Sequence, residues 1–73
     1  MYTLTSTTTD RYGAHFVLTE KFSSVCKAVK RVRELRDELV DTHCFKCVHD
    51  EDTYTVCTRK HADQKVVVEV TID

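Results

Sequence analysis

Proline and tryptophan are absent from this chain, and glycine occurs once, at Gly13. Linkers and low-complexity tails are usually built from proline, glycine and polar runs, so their lack predicts one folded domain with no such segments. No window approaches 18 apolar residues, which excludes a membrane-spanning helix. The opening MYTLTSTTTD lacks a basic and then apolar run, so no secretory signal is expected and the expected location is cytoplasmic. Neither sign of charge prevails: 11 Lys and Arg stand against 12 Asp and Glu, for a net charge of −1. A basic field able to gather nucleic acid is therefore missing. Four cysteines without a secretion signal read as free thiols or metal ligands rather than a disulfide framework.

What is present is one long amphipathic stretch, 23–41, SSVCKAVKRVRELRDELVD. At about 100° per residue, Phe22, Val25, Val29, Val32 and Leu39 fall on one side, and Cys26, Ala28, Leu35 and Val40 widen that stripe. Lys27, Lys30, Arg31, Glu34, Glu38 and Asp41 fall on the other side. The spacing predicts a helix with Ser23 or Ser24 as its N-cap and an exit at Thr42-His43. Its charges run against the helix dipole. Lys27, Lys30, Arg31 and Arg33 lie in the front half, and Glu34, Asp37, Glu38 and Asp41 in the back half. Acids favour a helix start and bases its end, by about 0.3–1 kcal/mol each near the terminal turns. Helix stability alone does not account for this order. Arg36 falls inside the apolar stripe, where its stem is expected on the sheet and its head in water.

The remaining segments alternate with the period of strands. Residues 2–9 are rich in threonine and read as a polar strand at a sheet edge. Residues 11–19 place Tyr12, Ala14, Phe16 and Leu18 on one face, forming a hairpin with the first strand; Gly13 marks a bulge or the strand's start. In 43–49, HCFKCVH, Phe45, Cys47 and His49 share a face opposite Cys44, Lys46 and Val48. In 53–59, Tyr54 and Val56 oppose Thr55 and Cys57. A two-residue turn at Glu51-Asp52 then sets Cys47 across from Val56 and His49 across from Tyr54, gathering the apolar residues on one face. The clearest strand is 65–73, with Val66, Val68, Val70 and Ile72 turned toward the helix. The fold class that follows is α+β, in two layers. One long helix packs on one face of an antiparallel sheet, in the order β-β-α-β-β-β, as a single domain over 1–73. The far face would carry Val17, Cys44, Val48, Cys57 and Val67, which points to a partner or a homodimer there. A chain this short buries only about 60% of its unfolded surface, so a second copy would also add stability.

Four groups of side chains are candidates for chemistry. Cys44-x2-Cys47 with Cys57-x3-His61 has the ligand types of a small zinc site. Residues three apart on a strand point to opposite faces, however, so these thiols read as small buried hydrophobes, and neither metal nor cofactor is expected. On the same register Cys47 and Cys57 face opposite ways, which rules out a disulfide between them. Cys57 with His61, or Cys44 with His43, has the residue types of a thiol nucleophile and base without an orienting third group, so no enzyme activity is expected. Lys27, Lys30, Arg31 and Arg33, and Arg59-Lys60-His61, are short basic patches interrupted by acids, which argues against nucleic acid as a partner. That leaves the acids Glu34, Asp37, Glu38 and Asp41 of the helix and Asp50, Glu51 and Asp52 of the turn as the expected protein-binding residues.

In size, single-domain build and bipolar charge, the chain resembles the small phage-encoded proteins that bind and block host defence machinery, such as anti-CRISPR proteins. The resemblance rests on general character over the whole chain and on no motif, so no site residue carries over from it. It implies a non-enzymatic inhibitor in the host cytoplasm that occludes a nucleic-acid-handling complex, with acids standing in for phosphates at a basic surface.

Overall fold

The computed structural model describes residues 1–13, 15–60 and 63–73. Strands β1 (Tyr2–Thr9) and β2 (His15–Phe22) precede helix α1 (Val25–Asp41), and β3 (Lys46–Glu51), β4 (Tyr54–Arg59) and β5 (Gln64–Ile72) follow it. The five strands form one sheet in the order β2-β1-β5-β4-β3, every neighbouring pair antiparallel. The expected α+β architecture is the one observed.

This strand order gives the helix its task. β2 ends at one edge of the sheet and β3 begins at the other, so the connection must cross every strand. Four spacings of about 4.8 Å make about 19 Å, and the 17 residues of α1 supply about 26 Å. The Ser24 hydroxyl caps the start, accepting the amide of Cys26 at 3.2 Å. Phe22, expected on the helix stripe, is instead the last residue of β2 and still packs against the core.

The helix ends without glycine. Amides of Thr42, His43 and Phe45 return to the carbonyls of Glu38 and Leu39, and Cys44 takes the left-handed conformation at φ 61° that closes this turn. A side chain there costs about 1–2 kcal/mol. The turn delivers Phe45 into the core, 7% exposed, and the Arg59 guanidinium lies 4.9 Å from its ring centre. Because His43 and Cys44 serve the helix exit, β3 starts at Lys46, and Cys44 lies on neither face of the sheet.

The core beneath α1 consists of Leu4, Val32, Phe45, Cys57, Val66 and Val68, with Ala28 of the helix fully covered. Leu4, Val66 and Val68 alternate as expected. β1 differs from the expectation, since it pairs with both β2 and β5 and so lies inside the sheet. Its threonines suit that place: their backbones are paired on both sides, and their methyls present a half-buried pleated surface. Gly13 is a turn residue at φ 78°. Its amide bonds to the Asp10 carbonyl at 3.1 Å, and the Asp10 carboxylate accepts the Tyr12 amide at 2.8 Å.

The largest departure is in the β3-β4 hairpin. Cys47 pairs with Cys57, and His49 with Val56, leaving Val48 as an extra residue; the turn is Asp52-Thr53, since Glu51 pairs with Tyr54. The bulge at Val48 lets Cys47 face the helix while His49 faces away. Every residue of β4 is thereby on the face opposite to that expected. Thr55 and Cys57 are sealed under α1, each 0% exposed, and the Thr55 hydroxyl is satisfied by donating to the Glu51 carbonyl at 3.2 Å. Tyr54 and His49 meet on the far face, with ring centres 5.3 Å apart. That face carries the row His49, Val56, Val67, Thr7 and Val17. Of the apolar residues expected there, Cys44 and Cys57 are elsewhere, Val48 is the exposed bulge residue, and Val17 and Val67 are in the row.

Candidate interaction surface

Ion pairs along both flanks of α1 decide which charges are free. On one flank, Arg36 contacts Asp50 of β3 at 2.7 Å and its own neighbour Asp37 at 3.2 Å, and Arg33 contacts Asp52 at 3.1 Å. Arg36 therefore neither lies idle on the sheet nor waits for a partner: it ties the helix to the hairpin. Its guanidinium is held above its ordinary pKa, first by the bond to Asp50 and then by that to Asp37. On the other flank, Arg31 reaches Glu20 of β2 at 3.1 Å and Glu34 at 3.5 Å. Its pKa is raised chiefly by the Glu20 bond.

The basic patch read along the sequence is therefore divided. Arg31 and Arg33 point to opposite sides of the helix, Arg31 matched to Glu20 of β2 and Arg33 to Asp52 in the β3-β4 turn. Arg59 is likewise occupied. It donates to the His43 carbonyl at 3.2 Å and to the Gln64 side chain, which fixes the helix exit against β5.

The acids divide in the same way. Asp50 and Asp52 are partners of Arg36 and Arg33. Glu51 stands 3.6 Å from His49, and Glu38 stands 3.8 Å from His43. Glu34, Asp37, Glu38 and Asp41 are all exposed. Their spacing of i, i+3, i+4 and i+7 puts them on one outward stripe of the helix.

The cysteines do not assemble into a metal centre: no group of three or more His, Cys, Asp or Glu among the described residues is placed to hold an ion. His61, the fourth residue of the candidate zinc set, lies outside the described residues. Cys26 and Cys44 are exposed, so Cys26 does not pack in the core as its place in the stripe implied. Cys47 and Cys57 face the same way, contrary to the expected register. Burial, followed by the neighbouring Cys47, pushes the Cys57 thiol up to about 11. That is the opposite of the activation a nucleophilic thiol needs.

Two open grooves flank the helix. One of about 470 Å³ is lined by Val25, Cys26, Val29, Lys30, Arg33, Asp52 and Thr53. The other, about 230 Å³, runs along β2 and is lined in part by Phe16, Leu18, Leu35, Glu38 and Leu39. The second adjoins a feature that the strand pattern did not flag. Phe16, Val17 and Leu18, consecutive on the edge strand, are 63%, 56% and 54% exposed. Alternation predicts that such a run is half covered; the signal that marks it as uncovered is three large apolar residues in sequence on a strand with one free edge. No protein-family model, curated protein or solved structure matches this chain.

Proposed function

We propose that this chain is a non-enzymatic protein-binding module that presents carboxylates to a basic surface of its partner. In the role implied by its likeness to small phage-encoded inhibitors, the partner is a host defence complex that handles nucleic acid, and the carboxylates take the place of phosphates. The observation that carries this reading is the exposed stripe Glu34, Asp37, Glu38 and Asp41 on the back half of α1. Acids near a helix C-terminus oppose the dipole, so the stripe is present at some expense to the helix. Glu51 lies apart from this stripe, across from Tyr54 and 3.6 Å from His49 on the far face of the sheet. Complementary charge of this kind speeds encounter and sets orientation, and its effect falls with salt.

The test is a charge reversal of the stripe, Glu34→Lys with Asp37→Lys, Glu38→Lys and Asp41→Lys. The reversal removes the Arg31–Glu34 and Arg36–Asp37 pairs and sets lysines one turn from Lys30 and Arg33, so a modest fall in thermal stability is expected; a thermal melt shows that the variant is folded at the assay temperature, while binding is lost. The readout is displacement of DNA from purified CRISPR effector complexes by the native chain and by the variant, at low and at moderate salt. Failure of the native chain to displace DNA, or equal displacement by the variant, would overturn the reading.

A further inference from the structure

The two edges of the sheet are built differently. β3 is six residues long, bulged at Val48, and carries Lys46, Asp50 and Glu51. Short length, a bulge and charge are the devices that prevent a further strand from adding to an edge. β2 has none of them at its centre. It is eight residues long, pairs with β1 without a register shift, and exposes Phe16, Val17 and Leu18 in succession. Its outer backbone N–H and C=O groups form a row that another strand can satisfy in full.

We infer that the chain forms a homodimer by antiparallel pairing of β2 with β2 of a second copy. Symmetry restricts how this is done. Antiparallel pairing of identical edges needs a two-fold axis normal to the sheet, which keeps each face on its own side. Directly paired residues must then share a face, so the register is centred on a residue rather than between two. Centring on Val17 sets Val17 against its own counterpart on the open face. It sets Phe16 against Leu18 of the second copy, twice, on the helix face. Centring on Leu18 instead places Phe16 against Glu20 and His15 against Lys21. Centring on Thr19 places Leu18 against Glu20 and Val17 against Lys21. Centring on Phe16 places His15 against Val17, so of these registers the Val17 one alone matches apolar with apolar throughout its middle.

A second copy, rather than an unrelated strand, is the occupant because this sequence is self-complementary about Val17. The net charge of −1 opposes association little. The blocked β3 edge leaves one open edge per chain, so growth closes at two copies instead of continuing as a fibre. The result is one sheet of twice five strands with both helices on the same face. The groove beside Phe16 and Leu18 then receives side chains from the other copy. This pairing does not depend on what the acids of α1 bind.

Sedimentation velocity of the full chain over a concentration series tests it. The native chain is expected to pass from monomer to dimer. Phe16→Lys and Leu18→Lys each act twice across the axis and are expected to raise the dissociation constant by about tenfold or more. Because both side chains are exposed in the monomer, circular dichroism of these variants is expected to match the native chain. Val17→Cys, in a Cys26→Ser and Cys44→Ser background, is expected to give an oxidative cross-link joining position 17 of the two copies. A native chain that stays monomeric at every concentration would overturn the inference. So would a dimer that survives Leu18→Lys but dissociates on Val67→Lys, since that would place the interface on the open face of the sheet.

Discussion

Leu4 and Leu18 offer a controlled comparison, because both project from the helix side of the sheet and both can be cut to alanine. Leu4 is 1% exposed and Leu18 is 54% exposed. A domain of 73 residues is expected to have a stability of about 4–11 kcal/mol, at about 0.05–0.15 kcal/mol per residue. Removing a buried leucine side chain costs about 2–5 kcal/mol, the range reflecting how far the neighbours collapse into the space. Leu4 belongs to one buried cluster with Val32, Phe45, Cys57, Val66 and Val68, contributed by the helix, its exit and two strands. Such a wall relaxes little, so a loss of about 3 kcal/mol is expected for Leu4→Ala. In a domain of this size each kcal/mol lowers Tm by about 4–8 °C, which makes the expected drop about 12–24 °C. Leu18→Ala removes the same atoms from a side chain already more than half in water, and is expected to cost less than about 1 kcal/mol. Both are measured by thermal and urea unfolding, at concentrations low enough that β2 pairing does not contribute. Equal costs at the two positions, or a cost below about 1 kcal/mol at Leu4, would refute the placement of the core between α1 and the sheet centre.

Two more expectations come from the sealed residues of β4. Thr55→Lys is expected to abolish folding because it forces a long side chain and an ammonium into a fully covered site whose cross-strand acid, Asp50, is already held by Arg36, whereas Tyr54→Lys, on the open face, is expected to cost about 1 kcal/mol; circular dichroism distinguishes them, and the reverse order would mean that the strand faces the other way. Cys57 is expected to resist iodoacetamide near pH 8 while the exposed Cys26 and Cys44 react, as followed by mass spectrometry. Its thiol pKa rises from an ordinary 9.0 to about 11 in the folded chain, so the unfolded chain loses this proton first. The associated stability is whole below pH 9 and is lost as pH rises toward 11, and a Cys57→Val variant is expected to show a flatter alkaline limb in its pH–stability curve.

The helix and the final strand were legible because each has a strong period, although the ends of both expected apolar rows, Val25 and Val40 on the helix and Ile72 on the strand, are exposed. Nothing in Val66, Val68 and Val70 competes with the core side, and Ser24 stands where a cap is required. β4 was not legible for the converse reason. Tyr54 and Val56 are more apolar than Thr55 and Cys57, so side-chain transfer favours the wrong face. What decides the matter lies outside β4. The bulge at Val48 and the turn at Asp52-Thr53 set the register, and the Glu51 carbonyl accepts the hydroxyl that Thr55 would otherwise bury unpaired. A bulge is one residue in one strand and leaves no periodic trace. The interior position of β1 was hidden for a related reason: its threonines read as polar when counted alone, but suit a strand paired on both edges.

The candidate surface shows the same limit in its charges. Along the sequence, Asp50, Glu51 and Asp52 form an acidic turn that looks ready for a basic partner. Arg33 and Arg36, one helical turn apart, already meet Asp52 and Asp50. Exposed pairs of this kind contribute only about 0–1 kcal/mol each to stability, but they fix where the hairpin sits against the helix. Reversing Asp50 or Asp52 would set like charges against these arginines and move the hairpin, so lost binding in such a variant would say nothing about contact with a partner. Asp37 is in a different position, because its arginine partner is its own neighbour on the helix and losing that pair leaves the tie to Asp50 in place. Glu34 likewise touches a strut only through Arg31, whose main partner is Glu20, so reversing the helix stripe removes no acid that joins two elements, whereas reversing Asp50 or Asp52 does. For that reason a test of binding belongs at Glu34, Asp37, Glu38 and Asp41, and a test of how the hairpin docks belongs at Asp50 and Asp52.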